Sequence, residues 1–106
     1  MPKISFAVPH NLSAADARER VESFLPRIKE TYKDMVKDMQ ENWEGDNLVF
    51  SFKTLGFVFK GNIATEEKQV KVDMDVPLAA MMVKGRIETE FKAGLDRLLN
   101  GKPKAS

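Results

Sequence analysis

The chain has no cysteine and a single histidine. The first absence removes disulfides, thiolate nucleophiles and Cys-based zinc sites, and the second removes any cluster of imidazole ligands. A dominant charge is missing too. Seventeen Lys and Arg face sixteen Asp and Glu, a formal charge of +1, so no global field draws in nucleic acid or an acidic membrane surface. No stretch approaches the ~20 apolar residues of a membrane helix. Met1-Pro2-Lys3 leads into an alternating segment, not into the apolar run of an export signal, and the expectation is a cytoplasmic protein. Gly45, Gly56, Gly61 and Gly85 stand alone, with neither Walker nor dinucleotide-binding spacing. With no Ser, Asp or Glu in a recognised nucleophilic motif there is no triad to build. The sequence thus predicts no catalytic residue, no metal site and no cofactor.

What is there suffices for one core: 106 residues, 42% of them apolar. Residues 1–101 read as one α+β domain and 102–106 as a disordered polar tail. Residues 3–8 alternate, with Ile4, Phe6 and Val8 on one side, as a half-buried strand does. Ser13, followed by Asp16, caps a first helix. Its apolar positions, Ala17, Val21, Phe24, Leu25, Ile28, Tyr32, Met35, Val36 and Met39, fall on one face at 100° per residue. That stripe predicts one helix over about 14–41, kinked at Pro26. After a turn at Asn42–Asn47, alternation returns around Leu48, Phe50 and Phe52, then Phe57, Phe59, Gly61 and Ile63, then Val70, Val72, Met74 and Val76. Pro77 opens a second helix that closes at Asn100-Gly101. The predicted order is β-α-β-β-β-α: a four-stranded antiparallel sheet with one wet face and two helices packed on the other. On the second helix Leu78, Met81, Met82 and Gly85 lie more than a quarter-turn from Ile87, Phe91, Leu95, Leu98 and Leu99. Either the helix bends at Gly85, or one half packs on the first helix and the other on a second copy.

Chemistry-bearing residues are few. His10, in a Pro-His-Asn turn before a helix, reads as a turn or capping residue rather than a general base. Asp73 and Asp75 share a strand face with Lys71, a solvated one where desolvation cannot raise a carboxyl's pKa. Lys29, Lys33 and Lys37 form a ridge on the first helix, but Glu30, Asp34 and Asp38 run beside it, as on a solvated mixed-charge face. Residues 13–99 mimic the order of a double-stranded-RNA-binding domain. The second helix, however, starts Pro77-Leu78-Ala79-Ala80-Met81-Met82 where such a domain is basic, and no nucleic-acid partner is expected. Methionine is plentiful, and flexible thioethers suit irregular apolar partners.

Pro9-His10-Asn11-Leu12-Ser13 with Ala17 and Val21, then Trp43-Glu44-Gly45-Asp46 with Leu48 and Phe50, then Gly61 with Ile63, and Val72 through Pro77-Leu78 follow one another in an order and spacing that resemble the putative polyhydroxyalkanoic acid system family. These are small bacterial proteins associated with polyester storage-granule genes, and the resemblance spans roughly residues 3–99. It implies a non-catalytic accessory role in polyester storage, at granules or with granule-associated proteins, and supplies no catalytic residues. His10, Trp43, Gly45 and Gly61 match the family pattern with structural roles: a turn, a core plug, a turn, and a bulge or close helix approach.

Two functional readings follow. The first is an interaction protein whose apolar patch, Met81, Met82 and Ile87, meets a granule-associated protein, the granule surface or, through the second helix, a second copy. The alternative is a helix-grip-like carrier holding an acyl or other hydrophobic ligand between helices and sheet, which needs a cavity of at least ~300 Å³.

Overall fold

A computed structural model describes residues 2–101 of the chain; the tail expected at 102–106 lies outside the described residues. Strand β1 (Lys3–Pro9) is followed by helices α1 (Ala14–Glu22) and α2 (Phe24–Thr31). Strands β2 (Val36–Glu44), β3 (Asn47–Thr54), β4 (Phe57–Thr65) and β5 (Gln69–Asp75) come next. A 3₁₀ turn (Leu78–Ala80) then leads into α3 (Met81–Asn100). The fold is α+β, with five strands rather than four, all antiparallel, in the order β1-β5-β4-β3-β2.

The additional strand replaces the second half of the helix expected over 14–41. Val36 pairs with Thr54 and Glu44 with Asn47, with a register shift between Lys37 and Gln40 where Asp38 takes a φ of 52°. Lys37 therefore belongs to a strand, and no helical lysine ridge forms. What remains of the helix divides at Ser23, and the expected kink at Pro26 is replaced by a break. The Ser23 hydroxyl donates to the Arg20 carbonyl at 2.9 Å, a local bond that competes with helical continuation. Pro26 is the third residue of α2, inside the first turn, where an N–H has no intrahelical acceptor and its loss costs little. The predicted start of α1 holds: the Asp16 N–H donates to Ser13 Oγ at 3.1 Å.

One face of the sheet carries the core. Ile4, Val8, Leu48, Phe50, Phe52, Phe59, Ile63, Val70, Val72 and Met74 are buried against Ala17, Val21, Phe24, Leu25 and Ile28 of α1 and α2 and Phe91, Leu95 and Leu99 of α3. Each large side chain so buried contributes ~1.5–3 kcal/mol. Phe91 is the hub, with ring centroids 5.3 Å from Phe24, 5.8 Å from Phe52 and 6.1 Å from Phe50. The opposite face is mostly polar, with Val49 and Val58 exposed among its charged and amide residues. Lys3 and Lys60 flank Asp75 in register, and Ser5 Oγ donates to Asp73 at 2.7 Å.

Two tight hairpins shape the ends of the sheet. Gly45, with φ of 64°, and Asp46 join β2 to β3. Leu55 and Gly56 join β3 to β4 with φ of 55° and 82°, the pair of positive values that defines a type I′ turn. Leucine is an unusual occupant of the first position, where a side chain crowds the backbone. α3 is one continuous helix whose buried residues, Phe91, Leu95 and Leu99, all lie in its second half. Among the described residues no helix is long and apolar enough to cross a membrane.

Candidate functional site: an apolar end and its groove

The residues singled out in the sequence divide into separate places. His10 is buried and anchors the β1–α1 connection to the β4–β5 loop. Its Nδ1 accepts from the Leu12 N–H at 3.1 Å, so Nε2 carries the proton and donates to the Glu66 carbonyl at 3.0 Å. Both ring nitrogens are thus engaged. Trp43 is half-buried at the β2 edge, with the Arg18 guanidinium 4.4 Å over its ring, a cation–π contact. Arg18 also approaches Glu22 at 3.4 Å and Asp46 at 3.7 Å. Trp43 is therefore clamped between strand and helix at the sheet's edge. Gly45 makes its turn as expected. Gly61 forms neither a bulge nor a helix approach: its pairing runs unbroken, and a Cβ there would sit 2.4 Å from the Asp73 carbonyl oxygen of β5. The close neighbour is a strand backbone.

Met81 and Met82 open α3 at one end of the sheet, Met82 with 96% of its surface exposed. Leu78, on the turn that leaves β5, is 76% exposed; Leu55, at the tip of the β3–β4 hairpin, is 55% exposed; and Met35 lies just before β2. The strand directions put all five at the same end, because β5 and β3 finish there while β2 and β4 begin there. Ile87 does not belong to this exposed set. It is half-buried and lines a groove between α2, the β2–β3 pair and the first half of α3.

That groove encloses about 110 Å³. Ile28, Val36, Phe52, Val83, Ile87 and Phe91 make it apolar, and Thr54, Arg86, Glu90 and Tyr32 supply its polar atoms. The volume falls below the ~300 Å³ at which drug-sized sites begin, so a long acyl chain is not enclosed between helices and sheet. The Tyr32 hydroxyl donates to Glu90, tying α2 to α3 across the groove. This hydrogen bond to the carboxylate, with burial and the Glu90 charge adding to it, holds the Tyr32 hydroxyl above its ordinary pKa of 10.0, while Arg86 and Arg97 pull the other way. Because Tyr32 is the one tyrosine in the chain, its phenolate absorbance near 295 nm reads this contact directly. The titration is expected above pH 10, and Glu90→Gln should return it toward the ordinary value. A raised folded-state pKa means that the bond stabilises the fold below pH 10 and that this contribution is lost as the pH climbs through the raised value. An unshifted titration in the parent protein would contradict the contact.

Leu55, Tyr32 and Glu90 were not distinguished by sequence. Tyr32 sat on the apolar stripe, and Leu55 sat in what read as a turn. A leucine preceding the glycine of a two-residue hairpin is the one available signal, since that position favours Asn, Asp or Gly. Among the described residues no group of three His, Asp or Glu side chains could hold a metal ion.

Compared with known protein families, residues 4–99 match the family model described as putative polyhydroxyalkanoic acid system protein. No curated protein and no solved structure matches the chain.

Proposed function

The chain belongs to the putative polyhydroxyalkanoic acid system family, and on that premise we propose that it is a non-catalytic accessory protein of polyester storage, working in the cytoplasm by docking its apolar end onto the granule surface. The observation that carries this reading is the gathering of Leu55, Leu78, Met81 and Met82, all exposed, at one end of the sheet. Large apolar side chains grouped on a surface mark interaction sites. Leu55 adds weight, because a leucine at positive φ sets backbone comfort against an outward apolar contact. A polyester is an irregular apolar surface without fixed partner side chains, to which unbranched thioethers adapt well.

The test is sedimentation with particles of amorphous polyhydroxyalkanoate, using charged silica as the control surface. The Met81→Ser, Met82→Ser double variant is expected to bind at least about ten-fold more weakly, since two lost apolar contacts exceed the 1.4 kcal/mol that such a change represents. Leu55→Asn should weaken binding while leaving the turn intact, because asparagine tolerates positive φ. Undiminished particle binding by the double variant sinks the proposal. So does a dimeric solution mass that falls to the monomer's in the Met81→Ser, Met82→Ser variant, which would place both methionines under a second copy.

A further inference from the structure

Beside the apolar groove lies a second, wider hollow between α1–α2 and α3, of about 660 Å³, open to solvent. The two hollows share Ile28, Tyr32 and Glu90 as a common wall. Their chemistry differs. The first is lined by Phe52, Phe91, Val83 and Ile87; the second is lined by Arg20, Arg27 and Arg97. Arg86 stands at the rim of the first. Among the described residues none of these four arginines has a carboxylate within 4.0 Å. The Arg20 guanidinium donates to the Leu98 carbonyl at 2.9 Å, which fixes it against α3.

Two acidic groups line the wider hollow, Glu30 and Glu90. Glu90 has one oxygen engaged by the Tyr32 hydroxyl. Three arginines against these two carboxylates, with Arg86 beyond the shared wall, leave a local surplus of positive charge in a chain that is nearly neutral overall. Guanidinium groups recognise carboxylate and phosphate oxygens through paired N–H donors. An apolar slot opening beside such a surface suits a ligand with one greasy and one anionic end.

We propose that the paired hollows bind a short-chain anionic acyl amphiphile, its aliphatic part lodged against Phe52, Val83, Ile87 and Phe91 and its carboxylate or phosphate head held by Arg27, Arg86 and Arg97. The slot's 110 Å³ limits the enclosed part to a few carbons. Met81 and Met82 line neither hollow, although Leu55 and Met35 of the apolar end border the slot, and the proposal does not depend on the granule-docking reading.

The test is calorimetric titration of the full chain with hexanoate, hexyl phosphate, hexanol, hexylammonium and inorganic phosphate, with amide shift mapping to locate each. Both anionic hexyl probes are expected to bind at least about ten-fold more tightly than hexanol or hexylammonium, with shifts confined to α2, β3 and α3. A preference between the two anions distinguishes a carboxylate from a phosphate ligand. Val83→Trp, which fills the slot, and the Arg27→Gln, Arg97→Gln pair should each remove that binding. If the arginine pair does not fold, Arg86→Gln, at an exposed position, replaces it with the same expectation. Met81→Ser with Met82→Ser should leave it unchanged, which separates failure here from failure at the granule surface. Equal affinity for hexanol overturns the head-group assignment, and inorganic phosphate binding as tightly as hexyl phosphate overturns the slot.

Discussion

Replacing Gly61 by alanine is expected to lower stability by about 3 kcal/mol or more, at the upper end of overpacking effects, and to drop the melting temperature by roughly 12–24 °C. The new methyl group would lie 2.4 Å from the Asp73 carbonyl oxygen, 2.9 Å from Met74 Cα and 3.0 Å from Phe50 Cζ. The first two are main-chain atoms of β5, so no rotamer change relieves them. β4 and β5 must separate where Gly61 pairs with Met74, lengthening ladder hydrogen bonds inside the core. Gly85 provides the contrast within the same protein. A Cβ there meets nothing within 4 Å, and Gly85→Ala in the second turn of α3 should raise stability by about 0.5–1 kcal/mol. Thermal and urea unfolding of the two variants side by side measures the difference. A loss below about 1 kcal/mol for Gly61→Ala would mean that the strands slide apart freely, and the close approach would then carry no structural weight.

Phe91→Ala is the second large effect, expected at about 3–5 kcal/mol. Phe91 is 4% exposed and meets three other phenylalanines, so its removal loses both apolar transfer energy and edge-to-face contact. It also lines the groove, so truncation joins the vacated space to an existing apolar hollow. The variant should recover part of its melting temperature when a small apolar ligand such as benzene is added, because whatever binds only the folded state stabilises it by mass action. Unfolding with and without benzene reads both outcomes. An unchanged melting temperature in buffer would remove Phe91 from its central place, and the absence of any benzene effect would show that the neighbours collapse into the space.

β1, β3, β4 and β5 were legible because each buries one face and wets the other, so apolar residues fall at every second position. β2 was hidden for two reasons. Met35, Val36 and Met39 continue the helical spacing of Ile28 and Tyr32, and an edge strand with a register shift loses the alternation that would identify it. Its residues Lys37, Asp38, Gln40, Glu41, Asn42 and Glu44 are all exposed, the polar dressing by which edges resist pairing with other chains. Pro26 suggested a kink because its position looked internal; once Ser23 ends α1, the proline falls where helices accept it. Of the proposed apolar surface, Met81 and Met82 were visible as a change of face along α3. Ile87 was placed in the same patch, yet it sits five residues beyond Met82, about 140° further round the helix, enough to turn its side chain from solvent to groove. The arginines remained invisible, because Arg20, Arg27 and Arg97 come from three helices and meet only in the folded molecule.

The pairing of β1 with β5 also bears on how the sheet assembles. β2 through β5 are neighbours in sequence as well as in space and can zip up hairpin by hairpin, whereas Lys3 must reach Asp75 across most of the polypeptide. Closing so long a loop is entropically slow. Until β5 has emerged from the ribosome, the β1 segment waits with no ladder to join, an unmatched ribbon available to chaperones or to a neighbouring nascent chain.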